Sequence, residues 1–130
     1  MGAPTLRWQE ADATTHLAYA QGPMGFKTLV VIFAPDGRLR SIDNTLDAKH
    51  FAAIKPGLTE EQVLHLLGPP QPQWTTDFKA RDELVWEWRF CDDWNEAARF
   101  DVVFAAAQGT VTSTFEHRED CGLTGCLCAH

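Results

Sequence analysis

The chain has 130 residues, of which 45% are hydrophobic and 22% charged, with eight Phe, five Trp and one Tyr. Such a length buries roughly two-thirds of its unfolded surface, so it forms one domain or two small halves sharing a core, and wholesale disorder is excluded. Eleven basic against eighteen acidic residues give a net charge of -7 with no basic run, which disfavours nucleic-acid binding.

The opening Met1-Gly2-Ala3-Pro4-Thr5-Leu6 lacks the charged start and apolar segment of a signal peptide. Leu17 and Tyr19 mark a first strand, and Thr28–Phe33 reads as a second. Pro35-Asp36-Gly37 turns the chain, Pro fixing φ and Gly permitting φ > 0, into a third strand over Arg38–Leu46. The longest apolar runs are six residues, Leu29–Ala34 and Val102–Ala107. A membrane-spanning helix needs about 20, so none is expected.

Asp47 is placed to cap a short helix over Ala48–Ile54, with Leu46 and Phe51 at staple positions, and Pro56-Gly57 stops it. Thr59-Glu60-Glu61-Gln62 is a capping box, Thr59 capping and Gln62 reaching back. The helix it opens carries Val63, Leu64, Leu66 and Leu67 and ends at Gly68-Pro69-Pro70. Leu84, Trp86, Trp88 and Phe90 alternate with Val85, Glu87 and Arg89, a half-buried strand with an aromatic inner face. Phe100, Val102 and Phe104 repeat that period, and Gln108-Gly109 leads into Val111, Ser113 and Phe115. The expected order is three strands, two helices, three strands.

The two flanks match each other. Trp8 follows Gly2 by six residues and Trp74 follows Gly68 by six, and Leu29–Phe33 before the Gly37 turn corresponds to Asp101–Phe104 before the Gly109 turn. The offset drifts from 66 to 72, which the longer Cys91–Ala98 loop accommodates. The chain therefore divides into 1–46, the strand half of a first unit without its helices; 47–118, a complete unit; and 119–130, a cysteine-rich tail.

The run Pro56-Gly57-Leu58-Thr59-x-x-x-Val63-x-x-x-Leu67-Gly68-x-Pro70, followed by a Trp-rich strand and a second strand into a Gly turn, resembles the SmpA/OmlA (BamE-like) domain. The resemblance covers Asp47 to about Glu116, and residues 2–46 are similar to the strand half of another such unit. It implies an α+β fold: an antiparallel sheet of about six strands in two three-stranded halves, with a central pair of short helices packed on one face. It further implies a non-enzymatic lipoprotein at the periplasmic face of the outer membrane, partnered by the β-barrel assembly machinery. Tandem β-lactamase-inhibitor proteins are similar in architecture and bind an enzyme by an aromatic sheet face. The sequence shows no lipid-attachment cysteine behind a signal.

Trp86, Trp88, Phe90, Phe104, Val63 and Leu67 are expected in the core. Trp74, Trp94 and Phe78 fall in or beside connections and are the candidate partner-binding residues, since Trp is enriched at binding hot spots; satellite packing is the alternative for Trp74 and Trp94. Cys121, Cys126, Cys128 and His130 offer soft metal ligands without the spacing of a zinc knuckle, so a Cys121–Cys126 disulfide or an unstructured tail competes with a metal or thiol-redox role. Asp92, Asp93 and Glu96 form a carboxylate cluster whose ordinary reading is a solvated loop. With no nucleophile–base pair and no phosphate loop, no catalytic residue and no cofactor are expected. The competing functions are an envelope interaction module, an inhibitor-like binder of a soluble enzyme, and a metal or redox protein. Leu29, Val31 and Phe33 lack a helix pair of their own, which prompts the expectation of a homodimer.

Overall fold

The computed structural model describes residues 3–21, 25–70, 75–119 and 127–128. Four strands come first: β1 (Leu6–Gln9), β2 (Thr15–Ala20), β3 (Thr28–Phe33) and β4 (Leu39–Asn44). Two helices follow, α1 (Ala48–Phe51) and α2 (Glu60–Leu67). The chain closes with β5 (Thr76–Phe78), β6 (Glu83–Cys91), β7 (Ala97–Ala105) and β8 (Thr110–Arg118). Each set of four pairs antiparallel in sequence order, giving two separate four-stranded meanders.

This corrects the expected α+β class and its six-stranded sheet. The protein is mostly antiparallel β, and among the described residues only α2 is longer than one helical turn. The helix expected over Ala48–Ile54 stops early: Ala53 and Ile54 donate to His50 and Phe51 three residues back, so the chain tightens into a turn before Pro56. The strands that alternation did not reveal, β1 and β5, are the short ones at the outer edge of each meander.

Local chemistry explains the elements that the sequence marks well. Asp47 accepts the backbone N–H of His50 at 2.9 Å. At α2 the Thr59 hydroxyl accepts Gln62 N at 3.2 Å while Gln62 Oε1 accepts Thr59 N at 2.9 Å, closing the capping box. Gly57 sits at φ +96° and donates its N–H to Val111, tying the helix connection to the start of β8. Pro56 is exposed and Pro70 half-buried, flanking the helical segment.

The main core lies between α1, α2 and one face of the C-terminal sheet. It contains Phe51, Ile54, Val63, Leu67, Trp86, Trp88, Phe90, Phe100, Val102, Phe104 and Val111. Phe51 stacks on Phe100 with centroids 4.1 Å apart and meets Phe90 edge-on at 4.7 Å. A smaller core of Trp8, Ala18 and Val30 lies on the N-terminal sheet.

The end of α2 also abuts that second sheet. His65 stacks on Trp8 at 4.6 Å, Thr45 Oγ1 donates to the Leu67 carbonyl at 2.7 Å, and the Trp88 indole donates to the Gly68 carbonyl at 3.3 Å. One helix thus meets both meanders. Val30 and Val31 are buried within a single chain, so part of the cover that motivated a homodimer is supplied internally.

Candidate functional site

Because the helices occupy one face of the C-terminal sheet, the opposite face is where β6, β7 and β8 present their other alternate residues. Register fixes the neighbours: Glu87 faces Asp101, Asp101 faces Phe115, Val103 faces Ser113 and Arg99 faces His117. A bulge between Val103 and Phe104 sets this phase, with the Thr112 hydroxyl donating to the Val103 carbonyl at 3.2 Å.

Two kinds of surface share this open face. Towards β5 lies a groove of about 530 Å³, lined among others by Phe78, Val85, Val103 and Phe115. Phe115 is 51% exposed and Phe78 39%, with the Arg81 guanidinium 4.4 Å over the Phe78 ring. Towards the other end lies a charged network. Arg99 donates to Glu87 at 2.6 Å and to Glu119 at 2.9 Å, and Arg89 pairs with Glu119 at 2.8 Å. Most of these side chains are largely screened from water, so removing one partner and leaving the other unpaired costs more than at a surface ion pair.

Glu87, Asp101 and His117 meet where the two surfaces join. His117 Nε2 stands 3.3 Å from Asp101 Oδ2 and 3.5 Å from Glu87 Oε2. Asp101 is buried, and burial first, then the neighbouring Glu87 carboxyl, push it up to about 7. Burial opposes ionisation of Glu87 too, but its contacts with Asp101 and Arg99 win and hold it below the usual carboxylate range. Asp101 Oδ1 is buried without a hydrogen-bond partner.

The residues singled out from sequence distribute unevenly around this face. Val63, Leu67, Trp86, Trp88, Phe90 and Phe104 are all buried in the core between helices and sheet, so the aromatic strand face is structural. Trp94, at the tip of the β6–β7 turn, is 76% exposed, which removes the packing alternative. Phe78 lines the groove. Trp74 lies outside the described residues.

Asp92 and Glu96 are not a free carboxylate cluster. Asp92 accepts the N–H groups of Trp94 and Glu96 and the Arg118 guanidinium, which also pairs with Glu96 at 2.8 Å. These bonds fold the turn that displays Trp94.

The cysteine reading needs correction. Cys128, expected among the tail ligands, forms a disulfide with Cys91, 37 positions away, with Cα atoms 6.0 Å apart. Leu127 bridges to Glu96 and Cys128 N donates to Asn95 O, so residues 127–128 belong to the β6–β7 end of the sheet and not to a separate tail. Cys128 is thereby withdrawn as a thiolate ligand; Cys121, Cys126 and His130 lie outside the described residues.

Glu87, Asp101, Phe115 and His117 were not among the site residues expected from the sequence. The available signal was the outer half of the strand alternation, where Glu83, Glu87 and Arg89 of β6 and Ser113 and His117 of β8 share one side of their strands with Val85 and Phe115. Among the described residues no helix is long and apolar enough to cross a membrane. The chain matches no known family profile, no characterised protein and no solved structure.

Proposed function

We propose that the protein is a non-enzymatic interaction module of the bacterial envelope, resembling SmpA/OmlA (BamE-like) proteins, that docks a partner polypeptide on the open face of its C-terminal sheet. The observation that carries this reading is the groove flanked by exposed Phe78 and Phe115 on a face that α1 and α2 leave uncovered. An aromatic pocket with a charged rim is the usual anatomy of a protein-binding hot spot. Trp94 is a separate exposed aromatic at the β6–β7 turn, at the opposite end of the sheet from this groove. The Cys91–Cys128 disulfide supports an oxidising compartment such as the periplasm.

The partner in this reading is a component of the outer-membrane β-barrel assembly machinery. The test is direct binding of the purified chain to that purified machinery, compared with Phe115→Glu and Phe78→Glu. Saturable binding by the parent and its loss in both variants support the proposal. Equal binding by parent and variants would remove the open face from the function, and no binding by the parent would remove this partner.

A further inference from the structure

Three side chains with metal-ligating atoms come from three successive strands to one place: Glu87 on β6, Asp101 on β7 and His117 on β8. One ligand atom from each lies within 4.8 Å of the other two. Ligands around a four-coordinate ion with bonds of about 2.0–2.1 Å stand roughly 3.4 Å apart, close to the 3.3 and 3.5 Å separations of His117 Nε2 from the two carboxylates. Small rotamer adjustments on a rigid sheet would bring all three onto one centre.

A second, independent observation concerns Asp101 itself. Its side chain is only 6% exposed, and its Oδ1 has no hydrogen-bond donor at all. A buried carboxylate oxygen without a partner is costly, and native proteins rarely leave one unexplained. The same carboxyl group meets His117 through Oδ2 and has the Glu87 carboxyl as its other neighbour, so the unpartnered oxygen is carried by a side chain of the cluster.

The surroundings are those of ligands held in place. Arg99 binds Glu87 Oε1 at 2.6 Å and is itself anchored on Glu119, leaving Glu87 Oε2 directed towards His117. Outer hydrogen bonds of this kind orient metal-binding carboxylates. His117 is half exposed, which leaves the solvent side of the cluster open for a fourth ligand.

We propose that Glu87, Asp101 and His117 bind one divalent transition-metal ion of the zinc class through two carboxylate oxygens and one imidazole nitrogen. Calcium and magnesium suit the site poorly, because these hard cations favour all-oxygen shells and one of the three ligands is an imidazole nitrogen. The lack of a thiolate disfavours copper(I). The site does not depend on the docking proposal, since all three ligands come from this chain.

The test uses the full chain with its disulfide intact. Calorimetric titration with zinc chloride should show one tight equivalent, and cobalt(II) should give visible ligand-field bands without thiolate charge-transfer absorption. His117→Gln and Asp101→Asn should each weaken zinc by at least the 10–100-fold typical of losing an outer-sphere partner. Circular dichroism checks folding; should Asp101→Asn fail to fold, His117→Gln carries the comparison, because its ring is half exposed. Absence of zinc binding by the parent, unchanged affinity in His117→Gln, or thiolate bands that place the metal on Cys121 and Cys126 would each overturn the proposal.

Discussion

Thr28 of the N-terminal sheet lies so close to Gly68 at the end of α2 that a β carbon on Gly68 would stand 2.6 Å from its Cγ2. Gly68 also holds φ +83°, which L side chains rarely adopt. This residue is therefore where the helix exit, the first meander and the Trp88 indole are brought together. Gly68→Ala meets both backbone strain and overpacking, and should cost on the order of 3 kcal/mol, read as a lower midpoint in chemical denaturation. An unchanged midpoint would mean that the two sheets are not closely packed there.

The capping box gives a smaller, local effect. Thr59→Ala removes the acceptor of the Gln62 N–H and should lower stability by about 1 kcal/mol. Because the box is reciprocal, Gln62→Ala added to Thr59→Ala should cost less than the sum of the two single changes. Full additivity would show that the two bonds act separately.

These helix signals were legible because capping and termination depend on a few adjacent residues. The six longer strands were legible for a similar reason, since alternation of apolar and polar residues is local. Edge strands β1 and β5 were not, being short, with β5 exposed throughout. Alternation also cannot say whether strands before and after a helix pair join one sheet or two. The Glu87–Asp101–His117 meeting needs the register of three strands and a bulge at Val103, and the Cys91–Cys128 bond needs the fold that returns residue 128 to the β6–β7 turn. None of that is contained in any short window of sequence.

The disulfide should contribute strongly. In the chain-entropy picture, closing a loop of 37 residues stabilises by about 4 kcal/mol. Thermal unfolding of Cys91→Ser, or of the reduced protein, should show a clear drop in midpoint. Mass mapping of the non-reduced protein should return the Cys91–Cys128 peptide pair; a different pairing would contradict the placement of residues 127–128.

The turn that presents Trp94 should depend on pH. Burial opposes ionisation of Asp92, but the N–H groups of Glu96 and Trp94 and the Arg118 guanidinium outweigh it and hold its carboxyl below the ordinary value. A depressed carboxyl stabilises the folded state above its unfolded pKa, and that contribution is lost as pH falls through the lower folded value. The stability difference between the parent and Asp92→Asn should therefore be full at neutral pH and vanish in acid. A difference that persists below the folded pKa of Asp92 would show that charge is not what holds the turn.

The central claim is that the partner docks on the open face of the C-terminal sheet and not on the helix side. Photo-crosslinking groups placed in turn at positions 78 and 115 on that face, and at the exposed Ala53 on the helix side, decide it most directly in envelope preparations. The account predicts adducts with a component of the barrel assembly machinery from positions 78 and 115 and none from 53. Adducts from position 53 alone would contradict it.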